Sequence, residues 1–182
     1  MEIQEQIKTT RVKIDAIAQL VDTKDLKSAE TVKCHNELLM AKCFLGKILG
    51  ELGSATPYGN DGNRKSVADI EPTADRANPE EVEQWPKKPE SWKEENGIIS
   101  VSRVEKVDYL RECIGAVLKE LTDSKILQED GPIFLSNATA DLSVWNKLKW
   151  FTAEVYTSLC KARFWLGFEL ERIRETDKSS TL

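Results

Sequence analysis

Apolar and small side chains recur along the chain at alternating spacings of four and three. The first such series is Ile3, Ile7, Thr10, Ile14, Ile17 and Val21. Positions spaced in this way lie along one face of an α-helix, at the period of a coiled coil. The pattern predicts a first helix over this series and a turn at 22–24. A second helix then begins near Asp25 and ends at Gly53.

The second half of the chain shows spacings of three and four in two further series. The third series is Val104, Val107, Leu110, Ile114, Val117 and Leu121. The fourth is Leu148, Thr152, Val155, Leu159, Ala162, Leu166, Leu170 and Ile173. Two helices that are joined by a short turn run antiparallel. The sequence therefore predicts an all-α fold with four main helices, arranged as two antiparallel hairpins with coiled-coil-like packing.

These patterns divide the chain into a first hairpin (1–53), a connector or arm (54–97), a second hairpin (98–176) and a frayed polar tail (177–182). Five of the six prolines lie in the connector. Loops longer than about 12–15 residues without structure of their own are usually functional or disordered. Two interpretations of the connector follow: an ordered arm that carries cationic and aromatic side chains, or a disordered linker.

The two hairpins also resemble each other in sequence. The run from Ala41 to Leu52 aligns with the run from Ala162 to Ile173 and shares an alanine, a basic residue, an aromatic residue, a leucine and a glycine. Arg11 aligns with Arg111 in the preceding helices. The shared mid-helix glycine costs about 1 kcal/mol relative to alanine, which favours close approach of two helices, or alternatively of a ligand. A duplicated two-helix unit buries its apolar stripe only against another copy.

Composition excludes several functional classes. The chain has 26 basic and 31 acidic residues and a net charge of −5, which argues against binding of nucleic acid polymers. Its four cysteines show no metal-ligand spacing and indicate core residues in a reducing compartment, so we expect neither a metal nor a cofactor. No apolar run and no secretory leader is evident, which predicts a cytoplasmic protein without membrane contact.

Catalytic motifs are scarce. His35 is the only histidine and has no nucleophile or carboxylate placed nearby by the sequence, which favours a hydrogen-bonded structural role over a general base. An all-α, metal-dependent nucleotide pyrophosphohydrolase is the less favoured alternative, based on the pairs Glu2 with Glu5 and Glu105 with Asp108. Such acids also suit the first turns of helices. We therefore expect a protein that is not an enzyme.

The Ala41–Leu52 run is followed by the segment Ile-Glu-Pro-Thr-Ala-Asp at 70–75. Together they resemble the helical hairpin of phage anti-CBASS and anti-Thoeris sponge proteins, in an apparently tandem-duplicated form. The resemblance implies a homo-oligomer in the host cytosol that sequesters a cyclic oligonucleotide or a cyclic ADP-ribose-type signal without cleaving it. Because two hairpins are fused in this chain, the oligomeric state, the number of sites and the identity of the ligand stay open.

A compact polyanion with flat bases needs cations, hydroxyl groups and aromatic walls. Repeat-related cations at helix junctions and polar or aromatic side chains of the arm meet this need. The candidate ligand-binding residues are Lys42, Arg163, Arg11, Arg111, Tyr58, Arg64, Thr73 and Arg76. Arg11 and Arg111 could equally be solvated helix charges. The rival interpretation is a non-catalytic helical module or adaptor that binds another protein.

Overall fold

The computed structural model describes residues 3–53, 102–128, 131 and 142–179. These residues form four α-helices and no strand, which confirms the all-α fold. The helices are α1 (Ile3–Val21), α2 (Ala29–Glu51), α3 (Arg103–Asp123) and α4 (Leu142–Ser179). The predicted connector at 54–97 lies outside the described residues.

Helix α2 begins four residues later than the sequence pattern suggests. Ser28 caps it: the Ser28 hydroxyl accepts a hydrogen bond from the Thr31 amide at 3.1 Å, and the Thr31 hydroxyl accepts one from the Ser28 amide at 2.8 Å. The preceding residues form a turn in which Leu26 is buried, so an apolar residue there serves the core without being helical. Helix α2 ends before Gly53, whose φ of +78° suits a residue without a Cβ.

Helix α3 starts at a second capping box. The Ser102 hydroxyl accepts from the Glu105 amide at 3.2 Å, and the Glu105 carboxylate accepts from the Ser102 amide at 3.1 Å. Both exchanges satisfy amides that have no partner within the helix. Glu105 thus has a structural role at the start of α3.

We expect Ser102→Ala to lower the free energy of unfolding by about 1 kcal/mol, because it removes the acceptor for the Glu105 amide. Chemical denaturation monitored by circular dichroism measures this change. Thr9→Ala is the matched control, since the Thr9 hydroxyl only bonds back to the Glu5 carbonyl within α1. An equal loss in both variants would contradict the capping role.

The four helices share one core, and each contact between neighbours is antiparallel. The Gln4 amide on α1 donates to the Leu52 carbonyl after α2 at 3.0 Å, near the two outer ends of the first hairpin. Helix α2 packs most extensively on α4, where Ser28 lies beside Glu169 and Glu51 lies beside Lys147. Helix α3 packs on α4 and on α1. The order around the bundle is therefore α1, α2, α4, α3.

The apolar stripes of all four helices meet in this core. Helix α4 contributes six fully or nearly fully buried side chains of its predicted series, namely Leu148, Val155, Leu159, Ala162, Leu166 and Leu170. Buried residues also follow α1 and α3, at the equivalent positions Leu26 and Ile126.

Helix α4 continues to Ser179, beyond the start of the tail that the sequence predicts to fray, because its last residues include strong helix formers. None of the described helices is apolar over enough residues to cross a bilayer.

Candidate functional site

The four helical candidates from the sequence form two pairs. Arg11 of α1 lies beside Lys42 of α2, and Arg111 of α3 lies on the same helix interface as Arg163 of α4. The other candidates lie outside the described residues; they are Tyr58, Arg64, Thr73 and Arg76. The described site is thus built from helix side chains alone.

In the first hairpin, Lys42 is paired with an acidic side chain and Arg11 bonds to the backbone of α2. Lys42 Nζ lies 2.7 Å from Asp15 Oδ1, and the side chains of both residues are largely buried. Gln19 Nε2 donates to Asp15 Oδ2 at 2.7 Å, while Arg11 Nε donates to the Lys42 carbonyl at 3.3 Å. Arg11 is only 2% exposed, so it is not a solvated helix charge. The cationic groups of this pair are engaged by the protein itself.

The second hairpin has a different arrangement. A Cβ built on Gly115 of α3 would lie 3.5 Å from Arg163 Nε, and a Cβ built on Gly167 of α4 would lie 3.7 Å from Arg111 Nε. Each arginine therefore crosses over the glycine of the opposite helix. Arg111 Nε is buried without a hydrogen-bond partner, and Arg163 is exposed. Within the described part of the chain, neither guanidinium forms an ion pair with a carboxylate.

The sequence favoured close helix–helix approach at the mid-helix glycines. At Gly167 the atom nearest to a Cβ would belong to the Arg111 side chain, and no backbone atom of another helix lies within 4 Å. The neighbour of Gly167 is therefore a guanidinium and not a second backbone, and at 3.7 Å a Cβ would make an ordinary van der Waals contact with it. The sequence could not distinguish these cases, because it does not show which residue of α3 faces Gly167.

A groove of about 430 Å³ lies between α1 and α2. Its lining includes Asp15, Asp22, His35 and Lys42. His35 Nδ1 lies 3.0 Å from the Ala18 carbonyl, which only accepts hydrogen bonds, so Nδ1 carries the proton. The hydrogen bond that the sequence analysis expects of His35 is therefore present. Two aspartates against one paired lysine make this groove a poor site for a polyanion.

A buried carboxylate that sequence reasoning missed joins α2, α3 and α4. Glu169 is 0% exposed and accepts hydrogen bonds from Arg103 at 2.7 Å, Arg172 at 2.8 Å and Ser28 at 3.0 Å. Burial acts to raise the pKa of Glu169, but the hydrogen bonds from Arg172 and Ser28 and the charges of Arg103 and Arg172 outweigh it, so this pKa lies below its usual value. In the sequence, only the position of Glu169 one helical turn before Arg172 indicated that it forms an ion pair.

Aromatic side chains line the outer surface of α4. Phe164 is 57% exposed and Phe168 is 45% exposed, and their ring centroids lie 4.6 Å apart. Trp165 is adjacent, with the ammonium of Lys33 from α2 lying 4.1 Å from its ring centroid. Phe44 instead packs inward, edge-on to Trp150. The exposed rings form a surface that could contact another molecule.

The cysteines divide into two classes. Cys34 and Cys113 are buried, whereas Cys43 is half-buried and Cys160 is exposed, so the expectation of four core cysteines holds for only two. Burial raises the pKa of the Cys113 thiol to about 12 and that of Cys34 further still. Among the described residues, no group of three or more histidine, cysteine or acidic side chains could hold a metal ion.

Comparisons of the chain with protein-family models, curated proteins and solved structures found no match.

Proposed function

We propose that this chain is a phage anti-defence sponge, which binds an anionic, nucleotide-type immune signal and sequesters it without cleaving it. The signal would be a cyclic oligonucleotide or a cyclic ADP-ribose derivative, the ligand class that the hairpin resemblance implies. One observation carries the proposed location of the site. Arg111 and Arg163 lie at the α3–α4 interface without a carboxylate partner among the described residues.

The chemistry of guanidinium groups supports a phosphate ligand at this interface. Arginine presents its donors in a planar fork that matches the oxygens of a phosphate, and such charge-assisted hydrogen bonds are the stronger ones. Arg163 is exposed, so its donors can meet an external phosphate, while the buried Arg111 Nε lacks a partner, which costs about 1–3 kcal/mol. Gly115 and Gly167 lie beside the guanidinium groups and add no side chain that would compete with a ligand for them.

Sequestration needs affinity and no chemical step. A protein that binds its ligand in the folded state is stabilised by an amount that grows with the logarithm of ligand concentration, reaching about 2.7 kcal/mol at a hundredfold excess over Kd. This stabilisation gives a direct assay for an unknown member of a known ligand class. The ligand recovered after the assay then reports whether it was changed.

We expect thermal unfolding of the purified protein to shift upward with at least one member of a panel of cyclic di- and trinucleotides and cyclic ADP-ribose isomers. The double variant Arg111→Gln/Arg163→Gln should weaken binding of that ligand by about 100-fold, since two charge-assisted hydrogen bonds are lost. Titration calorimetry measures the affinity. Lys161→Gln/Arg174→Gln removes the same charge from exposed positions on α4 and should retain the affinity.

The ligand recovered after heat denaturation distinguishes the alternatives. Intact ligand supports sequestration, whereas a hydrolysed product would place the protein among the nucleotide hydrolases. If no panel member shifts the unfolding temperature, the proposal is wrong. The exposed rings of Phe164 and Phe168 would then favour the second candidate, a helical module that binds another protein.

A further inference from the structure

The two hairpins place equivalent residues at equivalent positions, with one change of charge. Asp15 and Gly115 are 100 positions apart, as are Arg11 and Arg111, while Lys42 aligns with Arg163 in the second helices. Asp15 forms an ion pair with Lys42 in the first hairpin, and a Cβ at position 115 would lie 3.5 Å from Arg163 Nε in the second. The helix register is therefore conserved between the hairpins at this point, and only the acidic side chain is missing from the second.

We infer that the chain carries two copies of one anion site, of which the first is closed by its own Asp15 and only the second, at Arg111 and Arg163, is open to an external anion. In the first copy the Asp15 carboxylate already takes the position that a ligand oxygen would take beside Lys42. The inference predicts one bound anion per chain.

The competition in the first copy is unfavourable for a ligand. Asp15 and Lys42 are tied to neighbouring helices of one hairpin, so their ion pair forms without loss of translational freedom. An external anion loses that freedom on binding and must also separate the buried Asp15 carboxylate from the ammonium of Lys42. In the second copy no described carboxylate competes for the guanidinium groups, and Arg163 is exposed to solvent, where an anion can reach it.

The space beside Gly115 indicates that a single substitution could close the second site in the way that Asp15 closes the first. The distance of 3.5 Å from a Cβ at this position to Arg163 Nε is an ordinary van der Waals contact, so a Cβ fits there without displacing the helix. An aspartate at 115 would place a carboxylate against the guanidinium of Arg163. That variant would imitate the arrangement of Asp15 with Lys42 in the first hairpin.

The nature of the anion follows from the donors. Two guanidinium groups favour an anion with several oxygens, such as a diphosphate or a phosphodiester. The nucleotide part of this assignment rests on the proposed function, whereas the anion part does not. Inorganic pyrophosphate is therefore a suitable small probe, since it tests the site even if no cyclic nucleotide binds.

The test compares Gly115→Asp with Gly115→Asn, which has nearly the same size and lacks the charge. Titration calorimetry with pyrophosphate, and with any cyclic nucleotide that stabilises the wild-type protein, should give one site per chain. We expect Gly115→Asp to bind at least tenfold more weakly than Gly115→Asn. Without ligand, Gly115→Asp should unfold at a higher temperature than Gly115→Asn, because it supplies the missing counterion. Ala116→Asp, at an exposed position of α3, is the control for added charge and should retain wild-type affinity.

The converse variant, Asp15→Asn, should open the first copy and raise the stoichiometry towards two anions per chain. Two sites in the wild-type protein, or equal pyrophosphate affinity in Gly115→Asp and Gly115→Asn, would overturn the inference. Absence of pyrophosphate binding together with equal unfolding temperatures of these two variants would also overturn it. Pyrophosphate binding at one site without binding of any cyclic nucleotide would instead reject the proposed function and leave the inference standing.

Discussion

Replacement of Glu169 by alanine is expected to lower the free energy of unfolding by about 3 kcal/mol. Removal of one member of a buried ion network costs about 3–5 kcal/mol, because the remaining charges lose their partner in a poorly solvated place. Arg103 and Arg172 both keep part of their side chains in solvent and can be rehydrated, which favours the lower end of that range. Urea denaturation measures the loss.

Glu171→Ala is the matched control for this experiment. Glu171 lies two residues further along α4 on its exposed side, and its removal should change the free energy of unfolding by less than about 0.5 kcal/mol. Glu169→Gln should fall between the two, since the amide oxygen still accepts a hydrogen bond from one arginine. Equal stability of Glu169→Ala and Glu171→Ala would show that the network contributes nothing to folding.

The same carboxylate should make stability depend on pH. Its pKa in the folded protein lies below the usual value, so the unfolded chain binds a proton more readily and the stabilisation is fully present above the unfolded pKa. It is lost as the pH falls from the ordinary range of a glutamate through the lower folded pKa. The difference in stability between the wild-type protein and Glu169→Gln should therefore shrink below about pH 4. A constant difference over this range would contradict the assignment.

Replacement of Leu159 by alanine is expected to be comparably damaging, at about 2–5 kcal/mol. Leu159 is 0% exposed in the core where α4 meets the other helices, so the substitution removes apolar contacts and leaves a cavity. Leu142→Ala makes the same chemical change on the same helix at a position that is 72% exposed, and should alter the free energy of unfolding by less than about 0.5 kcal/mol. Similar losses in both variants would mean that the helix stripe does not define the core.

Periodicity was sufficient to predict the four helices. The spacing of apolar residues depends only on helix geometry, so the stripe from Ile3 to Val21 matches α1 to the residue. The start of α2 was less predictable: it was expected near Asp25, but Leu26 lies in a turn and is buried there. A cap such as Ser28 marks that boundary more reliably than the pattern does.

Charged residues were harder to interpret, because their roles depend on what packs opposite them. The repeat identified Arg111 and Arg163 as related cations, and the structure places both at one helix interface. It did not reveal Asp15, although alignment of Arg11 with Arg111 sets Asp15 against Gly115 and would have shown the difference. The role of Glu169 could not be predicted from the sequence either, since its partners come from three separate parts of the chain.

The placement of the two buried cysteines gives the protein a pair of internal reporters. Cys34 lies in the first hairpin and Cys113 in the second, and both thiols are inert while they are covered, because burial raises their pKa. A thiol reagent reaches each of them only when the surrounding helices separate. Alkylation followed by peptide mapping therefore times the opening of each hairpin individually and distinguishes local fluctuation from global unfolding.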